Sequence, residues 1–160
     1  RDGLRDTPRR VVKAFAEMTE GYAQDPASIL ARTFDVKHDE LIIVDGIEFV
    51  SLCEHHLLPF SGTATVGYLP GDRVVGLSKV ARLVQCFAKR LQVQERLTEQ
   101  VADAMETFIQ CRGVGVILRA HHSCMSCRGV RQSRTTMVTS CLRGLLRTEA
   151  SLRAEFLALR

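Results

Sequence analysis

The stretch GVGVILRAHHSC, residues 113–124, sets the tightest condition on the fold. Val114, Val116, Leu118 and Ala120 recur at a period of two, so they line one face of a β-strand. If the extended conformation continues, His122 and Cys124 continue the same face. An apolar row of this length needs a layer packed over it, and two helical stretches offer one. Val80, Leu83, Val84, Phe87 and Leu91 recur at helical spacing behind Ser78, which is expected to cap that helix. Leu97, Val101, Ala104, Met105 and Phe108 do the same in the next stretch. A sheet covered by two helices defines an α+β domain with an antiparallel sheet.

Other segments supply the sheet's remaining strands. LIIV and IEFVSL flank Asp45-Gly46, which predicts two strands joined by a tight hairpin. Ala64, Val66 and Tyr68 alternate with polar or small residues, and Pro70-Gly71 predicts the turn of a second hairpin that returns through residues 72–77. VRQSRTTMVTSCL, from residue 130, reads as the partner of the 113–124 strand. At the ends of the chain, Thr7-Pro8 predicts a capped helix over residues 7–21 with Val11, Phe15 and Met18 on one face. Thr148 predicts the start of a short last helix through Leu152, Phe156 and Leu159. Residues 23–40 read as an irregular connection. The expected order is one helix, strands, two long helices, two strands and a helix, with no internal repeat or linker to divide it.

The chain has 160 residues, enough for one domain spanning 1–160 with its own core. The 46% apolar and 25% charged composition excludes disorder. A net charge of +4 with Lys and Arg scattered among acids argues against nucleic acid, and only 6% of residues are aromatic, which leaves few stacking platforms. No apolar run reaches the roughly 18 residues of a membrane span, and no secretory pattern opens the sequence, so a cytoplasmic protein is expected. Six cysteines then read as free thiols plus a metal site rather than as a disulfide framework.

CEHHLLPF, residues 53–60, is the second pole of the site. Cys53 and His56 stand as C-x-x-H, a spacing that suits chelation of one zinc ion but also arises by chance. His122 and Cys124 add weight, because core packing gives no reason for either at the end of an apolar face. Cys53, His56 and Cys124 as ligands leave one position of a tetrahedron for water, as in catalytic zinc sites. Adding Cys127 would close the tetrahedron into a structural site. Strand parity puts Cys127 on the opposite face from Cys124 and favours the three-ligand set. Cys86 and Cys111 read as ordinary core or surface thiols.

Six motifs in order, CEHH at 53–56, GYLP at 67–70, GLSK at 76–79, QVQERLT at 92–98, H-x-C-x-x-x-RG at 122–129 and VTS at 138–140, resemble GTP cyclohydrolase I over nearly the whole chain. The resemblance implies the tunnelling fold of two strands, two helices and two strands. It also implies assembly into a barrel-forming homo-oligomer, a decamer of two pentamers with active sites at subunit interfaces. A regulatory protein partner is left open.

By the same resemblance, Cys53, His56 and Cys124 hold zinc, and His55 and His122 are the catalytic histidines. Gln94 and Glu95 hold guanine. Ser78, Lys79, Arg82 and Arg128 handle ribose and triphosphate, with Ser78 passing protons during the ribose rearrangement. The implied reaction is hydrolytic opening of the GTP imidazole ring at C8, with release of formate and formation of 7,8-dihydroneopterin triphosphate. Without the motifs, Glu95 would be a common first-turn acid, and Lys79 and Arg82 a solvated helix face. Two alternatives from other classes are a structural zinc module and a non-catalytic purine- or pterin-binding relative. A third is a tunnelling-fold nitrile reductase, which would use a cysteine nucleophile.

Overall fold

A computed structural model describes residues 1–159. Helix α1 spans Thr7–Met18, α2 spans Pro26–Leu30 and β1 spans Thr33–Phe34. The long strands β2 (Ile42–Cys53) and β3 (Pro59–Leu69) follow, then β4 (Val74–Val75), α3 (Leu77–Ala88), β5 (Leu91–Gln92) and α4 (Gln94–Ile109). The chain ends with β6 (Gly113–His122), α5 (Ser123–Ser126), β7 (Met137–Gly144), α6 (Leu145–Thr148) and α7 (Ala150–Ala158). The main sheet has the order β5-β2-β3-β6-β7. All its neighbours are antiparallel except β2 and β5.

The face defined by the alternation in β6 is the core. Val114, Val116, Leu118 and Ala120 are fully buried and cluster with Val80, Leu83 and Val84 of α3 and Leu97, Val101 and Met105 of α4. Phe108, expected on the same face of α4, remains 47% exposed, and its neighbour Ile109 is buried in its place. The opposite face of the sheet is covered by α6 and α7 through Leu146 and Phe156. The Phe156 ring lies over Gly67 and Gly115, which are paired across β3 and β6. A Cβ at either glycine would fall 2.7 or 2.6 Å from that ring, so the two glycines form its seat. Phe156→Ala is therefore expected to cost about 3–5 kcal/mol, measured by chemical denaturation, as for other fully buried rings.

The turns differ from the sequence reading in ways that matter for the site. Asp45-Gly46 is not a hairpin turn. β2 runs straight through it, and the pairing to β3 shifts register between Val44 and Ile47, with Gly46 at a φ of 69°. This is a bulge, where glycine supplies the left-handed conformation. Thr65 donates to the Asp45 carboxylate across it at 2.5 Å. The hairpin turn is the CEHHL segment itself, since β2 ends at Cys53 and β3 begins at Pro59.

Past Pro70-Gly71 the chain pairs β4 with β1, not with β3. The Tyr68 hydroxyl accepts from the Val75 N–H at 3.1 Å. The tether makes β4 an offshoot of the sheet rather than its next strand.

Cap assignments shift as well. Asp6 precedes α1 and Thr7 lies within it, with its hydroxyl turned back to the Gly3 carbonyl at 3.4 Å. α1 stops at Met18, and Gly21 lies in a following 3₁₀ turn. Gly76, not Ser78, is the N-cap of α3, and Glu149, not Thr148, is that of α7. The irregular connection contains α2, whose N-terminus is closed by the Asp25 carboxylate accepting from the Ala27 and Ser28 N–H groups at 3.1 Å each. β7 begins only at Met137, so residues 127–136 loop away before the sheet resumes.

Candidate metal and substrate site

Cys53 is the last residue of β2, and the turn that follows folds tightly over it. The Cys53 carbonyl accepts from the Leu57 N–H at 2.8 Å and from the His56 N–H at 3.3 Å, while its own N–H donates to the Leu58 carbonyl at 2.9 Å. Leu57 takes a positive φ of 52° to close the turn. The effect is to curl both histidines back toward the thiol. His56 Nδ1 lies 3.7 Å from Cys53 Sγ and His55 Nδ1 lies 4.0 Å from it, with the two rings nearly perpendicular.

The third member arrives from β6, with a correction to how it does so. The strand ends at His122, and Ser123–Ser126 form a helical turn in which the Cys127 N–H donates to the Ser123 carbonyl at 2.9 Å. Cys124 is therefore not on a strand, and the parity argument that separated it from Cys127 has no strand to act on. The separation survives for a different reason, the turn geometry. Cys53, His56 and Cys124 have ligand atoms all within 4.8 Å of one another, whereas Cys127 is exposed and outside that group. Burial and the neighbouring Cys53 thiol both push the Cys124 thiol up from its ordinary value. Two thiols and an imidazole in this arrangement form a soft, borderline donor set with the reach to hold one cation.

His122 stands at the other wall. Its ring stacks on Phe60, its cross-strand partner, with centroids 4.6 Å apart and planes 4° from parallel. Its Nε2 is 2.8 Å from Gln94 Oε1. Burial pulls its pKa down, with the Glu95 carboxylate opposing and His121 adding to the shift. His121 points the other way, exposed, with Nδ1 3.1 Å from the Thr135 carbonyl.

The remaining expected residues fall into two groups. Glu95 is exposed in the first turn of α4, close enough to act electrostatically on His122, and Arg128 is exposed and acts on the Cys124 thiol. Gln94, expected beside guanine, is only 1% exposed and turns its amide inward to β6 and β7. Lys79 and Arg82 line a separate cleft of about 450 Å³ with Asp25, the N-cap of α2, and Ser28 within that helix, and Ser78 is exposed on the first turn of α3.

One pair was not anticipated. Arg96 clasps Glu54 through both guanidinium nitrogens, at 2.6 and 3.0 Å, and the Glu54 N–H donates to the Gln92 carbonyl at 3.0 Å. The acid inside CEHH and the arginine inside QER thus fasten the ligand turn to the start of α4. Opposite charges embedded in two separate motifs were the available signal.

The fold and this Cys-His-Cys cluster together define a curled sheet with two covering helices and a group at its edge that could hold a metal ion. The sequence model of GTP cyclohydrolase I matches residues 1–160, and the chain belongs to that family. "GTP cyclohydrolase 1" of Nitrosospira multiformis is 56% identical over 99% of this chain and 84% of its own length. Those of Janthinobacterium sp. and Deinococcus radiodurans are 55% and 50% identical over 99% of this chain, covering 81% and 74% of their own lengths. Among solved structures, an archaeosine synthase QueF-Like in its apo form shares the fold, with a TM-score of 0.56 and 15% identity over 68% of this chain and 97% of its own.

Proposed function

We infer that this chain hydrolyses GTP, opening the guanine imidazole ring at C8 to release formate and yield 7,8-dihydroneopterin triphosphate, the first step of folate or tetrahydrobiopterin synthesis. The observation that carries the reading is the convergence of Cys53, His56 and Cys124 on one point with His55 beside them, in a chain that belongs to the GTP cyclohydrolase I family.

Cys53, His56 and Cys124 are the residues that would hold zinc. Bound there, zinc would supply an activated water near neutral pH. The protein's own groups account for the rest. His55, next to a ligand in the turn without belonging to the trio, moves protons on one side of the site, and His122 does so on the other. Both are candidates for protonating the ring nitrogens as bonds to C8 break. The burial that depresses His122 favours its neutral form, which accepts a proton before it can return one.

Glu95 accepts from guanine N1–H and the exocyclic amine together, a pattern that adenine cannot match. Lys79, Arg82 and Arg128 bind the triphosphate through charge-assisted hydrogen bonds, and Ser78 passes protons during the ribose rearrangement. Lys79 and Arg82 occupy a cleft of their own, which suits a site completed between subunits. An exposed apolar stripe on α1 (Val11, Phe15 and Met18) and an edge strand β7 support assembly into a homo-oligomer, which we take to be the barrel-forming decamer. No helix among the described residues is long and apolar enough to cross a membrane, and we assign the enzyme to the cytoplasm.

Incubation with GTP and zinc, following formate and the ultraviolet absorbance of the pteridine, tests the reaction. Absence of both products from zinc-loaded protein would refute it. Glu95→Ala and Glu95→Gln are expected to keep zinc and fold but lose roughly 30- to 1000-fold in kcat/KM, about 2–4 kcal/mol for a lost charged acceptor. Full activity of Glu95→Ala on GTP would place guanine recognition elsewhere.

A further inference from the structure

We propose that Gln94 is a positioning residue, not a guanine ligand, and that a closed ring of hydrogen bonds through Thr139 and Thr98 fixes His122 in the tautomer with hydrogen on Nε2. The argument runs through donors and acceptors. One end of the Gln94 amide faces the Leu118 and Met137 carbonyl oxygens at 3.2 Å each and Thr139 Oγ1 at 3.1 Å. A carbonyl oxygen can only accept, so this end must be the NH₂ group, and an amide flip would set oxygen against two oxygens.

The hydroxyls agree with that assignment. Thr98 Oγ1 donates to the Gln94 main-chain carbonyl at 2.7 Å, one turn back along α4. Its hydrogen is thereby committed, so in the 2.7 Å contact between the two threonines Thr139 donates to Thr98. That leaves the Thr139 oxygen as an acceptor for the Gln94 NH₂. The ring starts and finishes on Gln94, and all its hydrogens run in one direction.

The other end of the amide is then an oxygen with no choice of role. It lies 2.8 Å from His122 Nε2, so in the neutral imidazole Nε2 carries the hydrogen and Nδ1 carries the lone pair. The Phe60 stack fixes the plane of the ring, and the amide fixes its rotation within that plane. β6, β7 and α4 each contribute to the lock, so a fully buried polar side chain in the core has a purpose beyond packing. An amide spent in this way has no free donor for a base. The inference rests on His122 as a proton carrier in GTP hydrolysis and names Nδ1 as the atom it presents to substrate.

Two measurements on the full-length, zinc-loaded enzyme decide it. The five histidines can be labelled with ¹⁵N, with the His122 signals assigned by their loss in His122→Asn. Under conditions where the ring is neutral, wild-type His122 is expected to show a protonated Nε2 and a bare Nδ1, and the reverse pattern overturns the assignment without any positioning variant. Gln94→Met, which keeps length and apolar fill but offers neither donor nor acceptor, is expected to lower kcat roughly 10- to 100-fold, the range for loss of a group that orients an imidazole. KM for GTP and zinc content should stay at wild-type values while the His122 tautomer becomes mixed. A raised KM with unchanged kcat would make Gln94 a guanine ligand after all. Wild-type turnover with the reverse tautomer sinks this inference alone, whereas absence of turnover in zinc-loaded wild type sinks the proposed function and leaves the tautomer to the spectrum.

Discussion

Cys124→Ser is expected to emerge from purification without zinc and with turnover at background, while Cys127→Ser retains both. Cys124 and Cys53 supply the two thiols of the trio, and a serine hydroxyl is a far poorer ligand for zinc than a thiolate. Cys127 is not placed to take over, because it is exposed and turned out of the group by the helical turn Ser123–Ser126. Zinc content measured by atomic spectroscopy, alongside turnover on GTP, reads both variants. If Cys127→Ser lost its zinc, the closed four-ligand site of a structural zinc module would become the better account. The metal-free variant should stay folded, because the core rests on Val114, Val116 and Leu118 packed against α3 and α4, which circular dichroism checks.

His122→Ala is expected to lose roughly 10²–10⁴-fold in kcat with zinc retained, the usual share of a positioned acid–base group. The ring is held between Phe60 and Gln94 rather than in the metal trio, so its removal should spare the ligands. His55→Ala tests the companion role, and it is the more delicate case because His55 Nδ1 is only 0.3 Å farther from Cys53 Sγ than is His56 Nδ1, 4.0 against 3.7 Å. Loss of zinc in His55→Ala but not in His56→Ala would exchange the two assignments.

The core was legible because its signal is local. Val114, Val116, Leu118 and Ala120 sit where alternation puts them, and Val80, Leu83, Leu97 and Val101 where helical spacing does. The connections were less so. Asp45-Gly46 satisfies a hairpin turn and a bulge equally well, and only the pairing of β2 with β3 through Ile47 and beyond distinguishes them. The segment that does turn, Glu54 to Leu58, lacks the usual Gly or Asn, and Leu57 occupies the left-handed conformation in their place. Gln94 and Glu95, read together from one motif, part in the structure. Glu95 is exposed while Gln94 is buried, a difference set by the helical rotation between adjacent residues rather than by chemistry.

The ligand turn sits at the mouth of the β2–β3 hairpin, and Cys124 lies just past the end of β6, which pairs with β3 so that Phe60 faces His122. Cys53 and His56 are three residues apart and can meet in a flexible chain, but Cys124 meets them only when β3 and β6 are aligned in this one register. A slip of one residue would turn His122 to the far face of the sheet and carry Cys124 out of reach. With zinc held by the proposed trio, metal uptake would report strand alignment. A protein trapped with the wrong pairing would be recognisable as a zinc-deficient fraction, and zinc in the refolding buffer would select the correctly paired sheet by mass action.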